Sequence, residues 1–296
     1  MIQKTQLTSL SAVHKGMLFA FLGYTAFAFA DICAKWLTAQ FSVYQVIFMD
    51  QFMSCVFLLL ALPWLGGVRS IKKTRHIPIH IIRTVLNIFI ALLVVYSVSV
   101  LPIAMVYTFI FAKPFYAALF GILIYSQAVL PRHWLAIAVG FLGVLIALQP
   151  GTKAFDIVLI LPILAGIIIA LMFTLSRSLE GESIFSLGFW PIAGALPVVG
   201  ILMLDDFVMP TVQQFAVVCI AGFLVAVAVV SVSLAFRMAP AATVSPFLYT
   251  EMLWALIFGF LIFGDLPDLY MLLGAAIIVS SGLFLIFSEK RKKRVA

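Results

Sequence analysis

Residues 101–125 read LPIAMVYTFIFAKPFYAALFGILIY, and residues 239–263 read APAATVSPFLYTEMLWALIFGFLIF. A shift of 138 places Pro102 on Pro240, Ala104 on Ala242, Val106 on Val244 and Phe109 on Phe247. It also pairs Ala117 with Ala255, Phe120 with Phe258, Gly121 with Gly259, Leu123 with Leu261 and Ile124 with Ile262. Two apolar stretches share many Phe, Ala and Ile by chance. The proline at the start and the glycine near the end therefore carry the comparison. Each copy is also followed by a short loop and a further apolar run, so the chain repeats itself.

Composition says where such segments reside. Of 296 residues, 65% are hydrophobic and 10% charged, against roughly 45–50% and 25% in soluble domains. That much apolar surface cannot be buried in one soluble core, and the excess has to face lipid. The 28 Phe are spread along the chain rather than clustered. A membrane-crossing helix needs roughly 20 apolar residues. Ten stretches meet that description: 16–38, 43–63, 77–100, 102–125, 132–149, 156–177, 184–204, 212–237, 241–263 and 268–288. The expected fold is an all-α polytopic membrane protein.

The repeated segments are the fourth and ninth spans, so the repeat unit is five helices. An odd number forces the second unit to enter the membrane from the opposite side. Two inverted five-helix repeats follow, residues 1–150 and 151–296, the second ending in a basic tail. Secondary transporters use this arrangement to hold substrate near mid-membrane between two halves that open in turn.

Charge gives the orientation. With a cytoplasmic N-terminus, the inner side receives Lys4, Lys15, Arg69, Lys72, Lys73, Arg75, Arg83, Arg132, Arg177, Arg237 and the tail Lys290-Arg291-Lys292-Lys293-Arg294. The outer side receives Lys153 alone, with Asp156, Asp205, Asp206, Asp265 and Asp268. The positive-inside rule thus places both termini in the cytoplasm. The net charge of +7 belongs to topology and anionic lipid contact, not to nucleic acid. Lys4, Lys15 and Ala28-Phe29-Ala30 imitate a signal peptide, but cleavage there would leave an odd number of spans with the tail still requiring the inside. The segment is read as the first span.

Ionisable groups inside spans are costly, about 2.5–3.5 kcal/mol each on insertion scales, and so are candidates for function. Lys113 and Glu251 are equivalent under the shift of 138, each about 11 residues into its span. They flank the centre either as an ion pair or as ligands for the carboxylate and amine of a zwitterion; the plain alternative is a structural bridge between the two spans. Asp31 and Lys35 stand four apart on one helix face and can pair, with Phe27 and Tyr24 continuing that face. Asp50 lies at similar depth on the second span. A proton-coupled carrier needs an in-span carboxylate that exchanges protons, and Asp31, Asp50 and Glu251 are the candidates. His80, Arg83 and Asn87 form a polar stripe on the third span, suited to an inward vestibule, though Arg83 also reads as a topology signal. Tyr107, Tyr116, Tyr249 and Trp254 share the spans of the charged pair and could rim a substrate site, whereas Trp134 and Trp190 suit anchoring or packing. Pro114, Pro162, Pro191, Pro197 and Pro246 are possible hinges. Gly140, Gly143 and Gly274 suit close helix contact.

The motifs Arg132-His133-Trp134, Gly140-Phe141-Leu142-Gly143 and Pro150-Gly151 resemble the EamA family of the drug/metabolite transporter superfamily. Phe263-Gly264-Asp265-Leu266-Pro267-Asp268, Gly274 and Ser281-Gly282 repeat the resemblance in the second half. It implies exporters of amino acids and drugs and importers of vitamins and nucleoside-like metabolites, and its architecture is most similar to the YddG-type amino-acid exporters. Tyr125-Ser126-Gln127 departs from the Gly-Glu pair that many members carry. Amino-acid or metabolite export is the leading expectation, with multidrug efflux or vitamin and nucleoside-like uptake as alternatives. The substrate-binding set is Lys113, Glu251, Asn87, Tyr107, Tyr249, Trp254 and Tyr24. The gating or coupling set is Asp31, Lys35, Asp50, His80 and Arg83.

Other classes leave no trace. The sequence has no P-loop, HExxH, nucleophile elbow or Cys/His cluster, so no enzyme activity and no cofactor are expected. Cys33, Cys55 and Cys219 sit in apolar runs as small hydrophobes. The expected partners are a small-molecule substrate, the bilayer and a coupling proton. A bacterial-type inner membrane is the expected location.

Overall fold

The computed structural model of the chain describes residues 2–67, 76–125, 131–149, 156–176, 179, 181–238, 247 and 249–293. Its helices are α1 (Ile2–Thr38), α2 (Val43–Ala61), α3 (Ile77–Val100), α4 (Ile103–Ile110), α5 (Lys113–Tyr125) and α6 (Pro131–Leu148). They are followed by α7 (Ile160–Ser176, led in by a single 3-10 turn), α8 (Ile184–Leu202), α9 (Val212–Met238), α10 (Tyr249–Phe263) and α11 (Leu269–Lys293). No strand occurs among the described residues. The protein is all-α.

Local chemistry sets the helix boundaries. Ser42 caps α2 by accepting from the Gln45 amide, and Ser183 caps α8 by accepting from the Ser186 amide; each satisfies an N–H that the first turn leaves free. Asp268 does the same for α11, accepting from the Met271 amide at 2.6 Å. Gly264, at φ 69°, turns the chain out of α10 where a side chain would strain it.

The fourth expected span is broken. Its helix stops at Ile110, turns through Phe111 and Ala112, and resumes at Lys113. Pro114 explains the break, because a proline has no N–H to offer the carbonyl four residues back, here that of Ile110. Of the expected ninth span, residues 241–246 and 248 lie outside the described residues. The chain's first and last helices run beyond their expected limits of 16 and 288, to Ile2 and Lys293.

Five helices among the described residues are long and apolar enough to cross a membrane, by length and composition. The surface agrees: Leu18, Ile81, Phe89, Leu123, Phe141, Leu253, Phe260 and Leu261 are all exposed. Apolar patches of that extent need hydrocarbon against them.

The most extensive helix contacts come in matched sets. The contact of α1 with α9 is mirrored by α3 with α7, that of α2 with α9 by α3 with α8, and that of α1 with α10 by α5 and α4 with α7. The pairs α6–α11, α2–α8 and α4–α10 map onto themselves. Exchanging each of the first five helix positions with its counterpart five later preserves all these contacts. Close approach at α6–α11 needs small residues: a Cβ on Gly274 would fall 2.6 Å from the Gly143 carbonyl oxygen. The central core joins Tyr24 and Ile32 of α1 to Val106, Phe109 and Ile110 of α4, Val144 of α6 and Ile278 of α11.

Candidate functional site

The break between α4 and α5 puts Lys113 at the first position of α5, while Glu251 occupies the first turn of α10. Lys113 Nζ lies 3.8 Å from Glu251 Oε2, and the two side chains are 11% and 6% exposed. A carboxylate suits a helix N-terminus and an ammonium does not. Lys113 is therefore held by Glu251 against the field of its own helix. Its ammonium also stands 5.7 Å from the centre of the Phe111 ring.

A second acid joins them. Asp31, on α1, interacts electrostatically with both Lys113 and Glu251 and accepts a hydrogen bond from the Tyr107 hydroxyl of α4. Asp50 on α2 feels the charge of Asp31 in turn. Its Oδ1 has no hydrogen-bond partner among the described residues, and Ser54 donates to the Asp50 backbone carbonyl at 2.7 Å rather than to the carboxylate. Tyr24 is buried and within electrostatic range of Glu251. Three carboxyl groups and one ammonium thus share the middle of the protein, drawn from α1, α2, α5 and α10.

Trp254, about one turn along α10 from Glu251, anchors an aromatic group. Trp254 Nε1 donates to Thr25 Oγ1 at 3.0 Å, tying α10 to α1. The Trp254 ring lies 5.7 Å from Phe29 and 5.6 Å from Phe258, and those two lie 4.9 Å apart. Of the expected substrate set, Lys113, Glu251, Tyr107, Tyr24 and Trp254 come together here. The Tyr249 side chain lies outside the described residues.

The expected pairing of Asp31 with Lys35 does not form. Lys35 Nζ bonds Asp265 Oδ2 at 2.5 Å and the Leu101 carbonyl at 3.3 Å, and stands 4.6 Å from the centre of the Phe263 ring. Each member of the expected pair finds a partner on another helix or loop, Asp31 in Tyr107 and Lys35 in Asp265, and those contacts replace the i, i+4 bridge. Nor does Lys35 reach freely towards an interface.

That end of the molecule is fastened by further contacts. Gln45, fully buried, donates to the Val208 carbonyl at 2.5 Å and accepts from the Val208 amide at 2.9 Å. Gln214 donates to Gln40. Below them Ala34, Leu37, Phe41, Val46, Met49 and Val218 form a dry cluster. Sequence reading missed the roles of Asp265, Gln45 and Gln40, because loop acids were counted only as topology markers and lone Gln residues carry no spacing signal.

At the opposite end, α3 turns its polar stripe inward. Asn87 donates to the Pro191 carbonyl at 3.2 Å, so its amide bonds another helix, and Thr84 donates to the Trp190 carbonyl at 3.3 Å. His80 and Arg83 are each 5% exposed. They stand apart from the central cluster. Trp190 is half-buried, and the Trp134 side chain lies outside the described residues.

Comparison with known proteins places this geometry. The model of the EamA-like transporter family matches the chain twice, over residues 14–149 and 156–288. A riboflavin transporter of Rhizobium johnstonii is 30% identical over 284 residues, covering 94% of this chain and 93% of its own. An S-adenosylmethionine uptake transporter of Rickettsia prowazekii is 24% identical over 277 residues, covering 93% and 94%. A pseudopaline exporter of Pseudomonas aeruginosa is 22% identical over 286 residues, covering 95% and 99%. A solved protein crystal structure shares the fold, with a TM-score of 0.66 at 14% identity, covering 93% of this chain and 98% of that one.

Proposed function

The chain belongs to the EamA-like transporter family, and we propose that it is a secondary-active carrier that takes up a heteroaromatic metabolite of the riboflavin or S-adenosylmethionine kind by alternating access. It is an integral membrane protein and a transporter of small molecules by its family; substrate and direction are the proposal. The observation that carries it is the central cluster of Lys113, Glu251 and Asp31, with Trp254 about one turn along α10 from Glu251 and the Phe29 and Phe258 rings packed on Trp254. Charged groups with fixed partners orient polar substituents, and an aromatic wall accepts a flat ring by offset stacking. The relatives named for riboflavin and S-adenosylmethionine span nearly the whole chain, which supports a ring-bearing cargo.

The remaining parts of the proposal concern layout. Residues 1–150 and 151–296 are two inverted five-helix repeats, supported by the contact sets that survive exchange of their helices. Both termini are cytoplasmic in a bacterial-type inner membrane, supported by the one-sided Lys and Arg distribution. The end fastened by Lys35 and Asp265 then faces outward, and the end carrying His80 faces the cytoplasm.

A second reading, export of amino acids, has one observation in its favour. The paired Lys113 and Glu251 offer complementary charges to the carboxylate and amine of a zwitterion. Counterflow in proteoliposomes separates the two. With labelled riboflavin and labelled S-adenosylmethionine, preloading with the same compound is expected to accelerate entry of label, and neutral amino acids are not expected to compete. Exchange of neutral amino acids without exchange of either ring compound would sink the uptake reading.

A further inference from the structure

We propose that Arg83 and His80 form an oxyanion-binding site between α3 and α8, taking a carboxylate or phosphate group that enters from the His80 end. It is independent of which metabolite the central cluster carries.

The case begins with burial. Arg83 sits six residues into α3, about 9 Å along the helix at 1.5 Å per residue. An arginine that merely snorkels to lipid headgroups stays on the outside of the bundle. Arg83 does the opposite: Ile81, Ile82, Val85 and Phe89 occupy the exposed face of α3, while Arg83 and His80 are each 5% exposed on the inward face.

The second observation is unmet bonding. Arg83 Nε and Nη1 have no hydrogen-bond partner among the described residues, and neither has either ring nitrogen of His80. Glu182 at the approach to α8 acts electrostatically on His80. No described carboxylate forms an ion pair with Arg83. A buried guanidinium is ordinarily paired, because its desolvation is otherwise unrepaid. Two adjacent donor groups held ready without acceptors match an oxyanion, and the planar fork of arginine fits carboxylate or phosphate with two parallel bonds.

The third observation is that the second half carries no polar counterpart to these residues. Positions 138 later are Val218 and Ala221, each 1% exposed, and Val218 belongs to the dry cluster at the other end. The corresponding stretch of α9 is thus packed with apolar side chains, and the polar pair is an addition of the first half alone.

The test uses the full-length purified protein in dodecyl maltoside at constant ionic strength, titrated with sodium phosphate or sodium acetate against sodium chloride. An anion bound to the native state alone stabilises it by RT ln(1 + L/Kd) at free anion concentration L, so the thermal midpoint climbs with the logarithm of that concentration once it exceeds Kd. The wild type is expected to show such a rise with phosphate or acetate. Arg83→Met is expected to lose it, and Arg83→Lys to keep it with an onset at an anion concentration at least ten-fold higher. Because nothing described pairs with Arg83, the Arg83→Met protein without anion is expected to be at least as stable as the wild type, which a structural ion pair would forbid. A rise produced by phosphatidylglycerol but by neither free anion, and lost in Arg83→Met, supports the site and assigns its source to a lipid headgroup. A wild type indifferent to every anion, or a rise that survives Arg83→Met, overturns the proposal.

Discussion

Lys113 and Glu251 meet across the join between α5 and α10, Nζ to Oε2 3.8 Å, from positions that the internal repeat makes equivalent. Two residues at the same point of two copies face each other only if both lie close to the axis that exchanges the copies. Charges placed there experience both halves, whichever end of the protein is open. Their first consequence is energetic. Removing one member strands the other in a buried setting, a loss of about 3–5 kcal/mol, whereas removing both together spares that penalty. Lys113→Gln and Glu251→Gln are each expected to lower the thermal midpoint sharply, and the double variant to recover most of it. Scanning fluorimetry of the three purified variants checks this; a double variant as unstable as either single would contradict it.

The Tyr107 hydroxyl is the donor that holds the Asp31 carboxylate. Tyr107→Phe leaves the ring in its core and strips the acid of that bond, at a cost of about 1–3 kcal/mol for an unsatisfied buried acceptor. Transport is expected to fall more than folded yield, because Asp31 also acts on Lys113 and Glu251. Initial rates normalised to folded protein decide the matter, and a normalised rate equal to wild type would remove Asp31 from the site.

Lys35 and Asp265 tie α1 to the loop after α10, with side chains 14% and 20% exposed. Such a pair contributes little to overall stability, about 0–1 kcal/mol. Its effect should appear in opening. Cys33 lies near Asp31 and Asp50, as their mutual electrostatics show, and so reports on access to the centre. In protein whose other cysteines are serine, Asp265→Asn is expected to speed alkylation of Cys33 several-fold by a membrane-impermeant maleimide supplied on the Asp265 side, with thermal stability unchanged. An unaltered labelling rate would mean that this pair does not restrain that end.

Gly274 packs against Gly143 and Ala147, and a methyl group added to it would fall 2.6 Å from both the Gly143 oxygen and the Ala147 Cβ. Gly274→Ala forces α6 and α11 apart, and overpacking of this kind costs about 1–3 kcal/mol. Folded yield is expected to drop while the apparent affinity for substrate stays the same, since neither helix supplies a residue to the central cluster. A change in affinity at normal yield would show that α6 and α11 reach the site.

Much of this fold was legible in the sequence because lipid imposes length and apolarity on every crossing segment. Helix limits such as 77–100 needed only hydropathy. The Lys113–Glu251 pair was legible because the repeat supplied a long-range contact that periodicity alone never gives. The break at Phe111 and Ala112 was signalled only by Pro114, read as a hinge rather than as an end. The exchange of partners at Lys35 was not legible: spacing showed that Asp31 could reach it, and nothing local announced that Tyr107 and Asp265, 76 and 230 residues away, would take the two charges. Side-chain competition of that kind belongs to tertiary packing.

The most direct measurement is counterflow through proteoliposomes containing equal amounts of wild type and the Lys113→Gln/Glu251→Gln double variant, each shown to be folded by its thermal midpoint. Carrier action at the central pair predicts a transient, saturable overshoot of labelled substrate for the wild type and none for the double variant. An equal overshoot from both would contradict it, leaving the pair a structural bridge and moving the substrate elsewhere.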